Sequence, residues 1–374
     1  MPMCCGRKKR HTDEFHEFDR EDENDRKQSC WPKALKWTAI IILIIAVLLF
    51  LTVFVIFPII FMESISLQRF VMFPNFDQPE NPQYENYALY GAVGVKNMYV
   101  TVDDIYTSSS KLSLGVWMVV PEDTIEEAEN DPNFDFIQEL RRTKKPIIIY
   151  FHGNSGTRIY PYPTYQVLRK YFYVVAFDYR GYGDSTDALL SEAAVVSDSM
   201  QLYRYVEGLS KSPKIFVWGH SLGTALSTHT LKELRKQGTV PSGLILEAPF
   251  TTMREEIVYH PLGKIFAWLP WFEPTVLDPL ERNKFHFKTT TNILDVDCPI
   301  MILHAEDDSV IPYFLGEKLY EIAKDNRQEK QGPVSYHQIP AKYRADHLEI
   351  TSHSEVPQWI EEFLEVARNW HRGF

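Results

Sequence analysis

A serine set between glycines is the first group in this chain with the right company for covalent chemistry. Gly219-His220-Ser221-Leu222-Gly223 follows the apolar run Lys214-Ile215-Phe216-Val217-Trp218 and precedes a helix-compatible stretch from Thr224 to Lys236. A serine on a tight turn from strand to helix needs glycine neighbours, because a Cβ beside it would collide with the adjoining backbone. Its hydroxyl then stands exposed at the top of a sheet, placed to attack an acyl carbonyl. The helix that follows aims its N-terminus at that carbonyl, and the Leu222 amide can donate to the developing oxyanion.

Such a serine needs a base and an acid that orients it, and in an elbow of this kind they follow in the order acid, then histidine. Cys298-Pro299-Ile300-Met301-Ile302-Leu303-His304 reads as a buried parallel strand that empties into Ala305-Glu306-Asp307-Asp308-Ser309-Val310-Ile311-Pro312. Asp308 is the preferred acid because the DxVIP continuation fits the loop after such a residue. Asp307 is the alternative, and Glu306 and Asp307 also fit a loop-capping acidic cluster. Four histidines follow, His337, His347, His353 and His371. His347 fits the base: Ser335 to Ile339 reads as the last strand, Ala341 to Asp346 as its exit loop. Ser354 to Trp370 reads as a terminal helix with Val356, Ile360, Phe363, Leu364 and Ala367 on one face. His353, just ahead of that helix, is the runner-up or a cap-adjacent structural histidine.

A second oxyanion donor belongs on an earlier strand-exit loop. Pro146-Ile147-Ile148-Ile149-Tyr150-Phe151 runs into His152-Gly153-Asn154-Ser155-Gly156, which assigns the Asn154 amide as partner of Leu222 and leaves His152 a structural role. Tyr173 to Phe177 reads as another buried strand. Asp178 and Arg180 after it precede the elbow and are expected to serve in structural pairing. Together these runs predict an open α/β fold whose site lies at the carboxyl ends of its strands.

HGNSGTR, FDYRGYGDS, WGHSLGT, LEAPFTTMREE with HPLG after it, and LHAEDDSVIP resemble the α/β-hydrolase superfamily, and more closely its domain-containing-protein-12 branch of membrane-anchored serine lipases. The resemblance covers about Phe70 to the C-terminus. It implies a mostly parallel central sheet flanked by helices and preceded by one transmembrane helix, with Ser221, Asp308 and His347 as nucleophile, acid and base. It further implies hydrolysis of lysophospholipids, notably lysophosphatidylserine, and of monoacylglycerols such as arachidonoylglycerol. A serine triad of this kind needs no metal or organic cofactor.

Thr38 to Met62 is uncharged and dominated by Ile, Leu, Val and Phe. At ~1.5 Å per residue it reaches ~37 Å, enough to span a ~30 Å hydrocarbon core, with Pro58 near its far end. Nine Lys and Arg residues precede it, from Arg7 to Lys36, whereas 63–82 carries only Arg69. That asymmetry predicts a cytosolic N-terminus, with the hydrolase domain in the ER lumen or outside the cell. The expected organisation is a mixed-charge tail over 1–37, disordered in character, a span over 38–62 and a hydrolase domain over 63–374.

The net charge of −11 argues against nucleic acid as a partner and leaves a lipid substrate and the membrane. Of four cysteines only Cys298 lies in the domain, so no disulfide forms within it. Cys4 and Cys5, beside a basic run, are palmitoylation candidates or plain cytosolic thiols. Residues 250–297, with Phe266, Trp268, Leu269, Pro270, Trp271, Phe272 and Pro274, read equally as a lid over the site or as ordinary helix packing. Arg158 and Arg254 are candidate contacts for a lipid phosphate, or surface arginines.

Overall fold

The computed structural model describes residues 30–107, 109–210 and 214–372. Most of the tail, Cys4 and Cys5, and the His371 side chain lie outside the described residues. The chain divides into two units, 1–59 and 60–374.

The first unit is dominated by an apolar helix. Residues Leu35–Glu63, 29 in all, form one helix long and apolar enough to cross a bilayer, slightly longer at both ends than the uncharged run. A π-helical turn over Thr52–Ile56 sits directly ahead of Pro58. Proline has no amide to donate to the preceding turn, so a local change of helical winding at this point has a covalent cause.

In the second unit, short apolar runs form an eight-stranded sheet in the order β1-β2-β4-β3-β5-β6-β7-β8. Strands β3 (Ile147–Phe151), β4 (Tyr173–Phe177), β5 (Ile215–His220), β6 (Gly243–Glu247) and β7 (Ile300–Ala305) are buried at every position. Such continuous burial is what parallel strands covered on both faces require. β8 (Val334–Ile339) pairs parallel to β7 at the edge. β1 (Val95–Asp103) and β2 (Lys111–Val119) form an antiparallel hairpin on the other side, with β2 antiparallel to β4. The sheet is therefore mixed, parallel from β4 through β8 in sheet order.

Alternate residues of each strand enter two cores. Ile147, Ile149 and Phe151 pack with the helices Glu192–Leu209, Leu222–Lys236 and Tyr313–Asn326, whereas Ile148 and Tyr150 pack with Tyr162–Leu168 and Val356–Arg372. In the last of these, Val356, Ile360, Phe363 and Ala367 are buried and Leu364 is half-buried, the face expected from their spacing. Register then gathers the loops. Phe151 lies opposite Gly219, and His220 opposite Glu247, which aligns the carboxyl ends of β3, β5 and β6 along one edge. β7 pairs in register beside β6, with Glu247 opposite Leu303, so its exit loop joins them.

Candidate active site

Strand β5 ends at His220 and the next helix begins at Leu222, so Ser221 alone makes the turn. Its φ of 53° is a left-handed conformation that a residue with a side chain adopts only under constraint. The constraint is visible. Ser221 donates its amide to the Glu247 carbonyl at 3.0 Å, and its carbonyl accepts from the amide and hydroxyl of Thr224 at 2.9 and 2.7 Å. A Cβ on Gly219 would lie 2.5 Å from the Gly223 carbonyl oxygen and 2.6 Å from Ser227 Oγ; one on Gly223 would lie 2.7 Å from the His152 carbonyl oxygen. Both glycines are needed for strand and helix to approach this closely.

Asp308 stands on the loop after β7 and is buried at its side chain. Its Oδ1 accepts from the amides of Val310 and Ile311 at 2.9 and 2.8 Å. Its Oδ2 accepts from His347 Nδ1 at 2.8 Å and lies 3.3 Å from His304 Nε2. Burial alone would raise this carboxyl, but the hydrogen bonds from His304 and His347 outweigh it and hold Asp308 well below the usual carboxylate range. The neighbouring acids do other work. Asp307 Oδ1 accepts the Asp346 amide at 3.2 Å, and Glu306 Oε2 accepts the Ala341 amide at 2.9 Å. Asp346 Oδ1 returns a bond to the Ser309 amide at 2.7 Å, so the loop carrying Asp308 and the loop carrying His347 are zipped together.

His347 lies on the exit loop of β8, where Arg344 and Asp346 take positive φ values of 54° and 45°. Its carbonyl accepts from His220 Nε2 at 3.0 Å, and the two rings stand 4.8 Å apart. The other histidines are occupied elsewhere. The His337 ring stacks on Trp359 from within β8, and His353 stacks on the same indole while its Nδ1 accepts the Glu355 amide at 3.4 Å.

The loop after β3 closes against the elbow. Gly153 is so near that a Cβ on it would lie 3.5 Å from Ser221 Cβ. Tyr179 and Tyr182 donate their hydroxyls to the carbonyls of His152 and Asn154, each at 2.7 Å, which fixes the loop from outside. The His152 ring stacks on Tyr179 at 4.0 Å and donates Nδ1 to the Gly153 carbonyl; burial pushes its pKa down to about 3. Leu222, the first residue of its helix, has an amide without an intrahelical acceptor.

Ser221, His347 and Asn154 line one cavity of about 470 Å³, with Tyr160, Pro161 and Leu348 on its apolar side and Asp77, Glu247 and Glu349 among its polar groups. Among the described residues no hydrogen bond joins Ser221 to His347. Such bonds in ligand-free sites commonly close only when substrate is bound.

The two arginines considered for a phosphate do not reach this cavity. Arg158 is wholly buried: its guanidinium bonds Asp178, lies 2.8 Å from Asp184 and 2.6 Å from Asn97 Oδ1, and covers the Tyr84 ring at 3.9 Å. Arg254 bonds Glu273 and Asp278, the latter at 3.2 Å. Among the described residues no lysine or arginine lines the cavity. Asp178 and Arg180 are paired, though not with each other; Arg180 bonds Asp198 at 2.6 and 2.7 Å and Asp104 at 2.8 Å. Residues 250–297 contribute nothing to the cavity lining either, and within them Phe272, Leu277 and Leu280 are buried while Trp268 points outward.

A family model described as serine aminopeptidase, S33 (Hydrolase_4) matches residues 142–284, a stretch that contains Ser221 and stops short of Asp308 and His347. The lysophosphatidylserine lipase ABHD12 of Danio rerio is 32% identical over 84% of this chain and 81% of its own length. Its counterpart in Rattus norvegicus is 34% identical over 79% of this chain and 72% of its own. The chain belongs to the ABHD12 family. A further relative, protein ABHD12B of Homo sapiens, is 35% identical over 58% of this chain and 60% of its own length. Solved structures share the fold: an alpha-beta hydrolase from Vibrio vulnificus matches at a TM-score of 0.55 and 16% identity over 81% of this chain and 95% of that one. The Pyrococcus furiosus esterase Pf2001 matches at 0.51 and 16% over 77% and 96%.

In this ABHD12-family chain three buried groups around the site escape a reading of motifs. His220 holds the His347 carbonyl, Glu247 accepts from Trp218 Nε1 at 2.8 Å and lines the cavity, and His304 donates to the Ile311 carbonyl at 3.0 Å beside Asp308. His220 is the last residue of β5 and His304 the last but one of β7, and a histidine closing an apolar run is the available signal.

Proposed function

We propose that this chain is a single-pass membrane serine hydrolase that cleaves acyl esters of single-chain lipids, lysophospholipids such as lysophosphatidylserine and monoacylglycerols, through an acyl-enzyme on Ser221. The observation that carries the reading is the 2.8 Å hydrogen bond from His347 to Asp308 at the cavity where the strained Ser221 elbow opens. His347 Nε2 takes the Ser221 proton as Oγ attacks the ester carbonyl, and Asp308 stabilises the imidazolium. The amides of Leu222 and Asn154 receive the oxyanion. His347 then gives the proton to the departing glycerol oxygen. In the second half it activates the water that releases the fatty acid and frees Ser221.

The relatives named as lysophosphatidylserine lipases support the headgroup class. In this reading residues 1–37 are a cytosolic tail and 38–62, within the helix Leu35–Glu63, are the span. The domain over 63–374 lies in the ER lumen or outside the cell.

The test is fatty-acid release from lysophospholipids, monoacylglycerols and acyl thioesters by membranes carrying the chain or its Ser221→Ala variant. Ser221-dependent turnover of the lysolipids or monoacylglycerols is expected. Turnover confined to thioesters would replace this reading with protein depalmitoylation, and no Ser221-dependent turnover would end it.

A further inference from the structure

The helix Ile65–Met72 begins two residues after the apolar helix ends at Glu63. Its inward face is fixed. Gln68 and Met72 are buried, with Gln68 Nε2 donating to the Phe61 carbonyl at 2.7 Å and its Oε1 accepting from Asn283 at 2.7 Å. Its outward face is largely apolar. Ile65, Phe70 and Val71 are exposed, Phe70 at 54%; Phe76, 61% exposed, stacks on Phe70 at 4.8 Å; and Leu189, 49% exposed, joins them across a shallow groove that Phe70 also lines. Arg69 sits in the same groove, donating Nε to the Leu190 carbonyl at 2.7 Å, and among the described residues no acid pairs with it.

Apolar side chains left on the outward face of a short helix call for a cover, and water is a poor cover for stacked phenyl rings. Chain connectivity names the cover. A helix that starts two residues beyond a membrane span begins at the bilayer surface, and with a length of only ~12 Å it stays beside that surface when it lies along it. Aromatic rings favour that zone, and an arginine there reaches lipid phosphate while its stem stays in apolar surroundings.

We propose that Ile65, Phe70, Val71, Phe76 and Leu189, with Arg69 among them, dock this domain onto the phospholipid surface of its own bilayer. The proposal rests on Leu35–Glu63 being the span. Its consequence for catalysis follows from the next residue. Asp77 lines the cavity, and its carbonyl accepts the Gly156 amide at 3.0 Å from the loop after β3. The docking face thus continues directly into the rim of the site, which holds the cavity at the interface where a single-chain lipid resides.

Depth measurement on the full chain in phosphatidylcholine vesicles tests this. Cys4, Cys5 and Cys30 are replaced by serine, and one fluorescent reporter is attached through Phe76→Cys or Leu189→Cys. Leu43→Cys in the span and Val366→Cys on the terminal helix serve as references. Quenching by a lipid-attached nitroxide is expected to be about threefold stronger at both test positions than at Val366, with iodide protection to match. Adding Arg69→Glu should reduce it about twofold at Leu189. If Phe76 and Leu189 behave like Val366 while Leu43 is quenched from the lipid, the docking face is overturned and the span stands. If Leu43 also escapes lipid quenching, the span reading falls and the proposal with it.

Discussion

Arg158 and Asp308 are both buried charges beside the same sheet, yet they are neutralised in different ways. Arg158 meets full opposite charge in Asp178 and Asp184 and has Asn97 as a further acceptor. Among the described residues Asp308 pairs with no lysine or arginine: two backbone amides and two imidazoles hold it. A charge cancelled by a counter-ion has nothing left to respond with and serves as framework. A carboxylate held by hydrogen-bond donors keeps its field directed at His347, the arrangement the proposed mechanism needs to stabilise an imidazolium there. On that mechanism the difference separates the part of this molecule that keeps shape from the part that reacts.

The contrast can be broken in order of expected effect. Ser221→Ala should lower kcat/KM for lysolipid esters by about 10⁴-fold or more, read from fatty-acid release, with circular dichroism unchanged. Asp308→Asn should cost about 10⁴-fold in kcat by the same assay, because the base loses its tautomer and the imidazolium its partner. Arg158→Ala should act on stability, costing about 3–5 kcal/mol in urea unfolding, since it strands Asp178 without its counter-ion.

His152 gives a smaller, pH-dependent effect. Its folded pKa of about 3 lies below the ordinary 6.5, so the unfolded chain takes up the proton first as pH falls. The stability that neutral His152 contributes is complete above pH ~6.5 and is lost progressively toward pH ~3, about 2 kcal/mol of it between pH 7 and 5. His152→Gln should therefore show a shallower fall in urea midpoint over that interval. The smallest effect belongs to Asp307→Asn: kcat should stay within about twofold, because that carboxylate accepts only a loop amide and never touches His347.

Much of this arrangement is legible in the residues. The apolar runs that become β3 through β7 announce themselves by continuous burial, and the glycines at 219 and 223 announce the turn, since no other residue fits beside the strand exit. The separation of Asp308 from Asp307 is less direct; it depends on which carboxylate the loop turns inward, and the hydrogen bonds to Val310 and Ile311 decide that. Arg158 is the instructive miss. Its partners Asn97, Asp178 and Asp184 are scattered along the chain, so nothing local distinguishes it from a surface arginine. The β1–β2 hairpin is likewise hidden from a search for continuous apolar runs, because β1 alternates buried and exposed residues along most of its length.

On the proposed mechanism Ser221 is the nucleophile that this framework activates. The direct measurement is reaction of the full-length chain in membranes with a fluorophosphonate, followed by mass-spectrometric mapping of the adduct. A single adduct on Ser221 is expected, abolished by Ser221→Ala and slowed by Asp308→Asn. An adduct on a different serine, or none from folded chain, would contradict that mechanism.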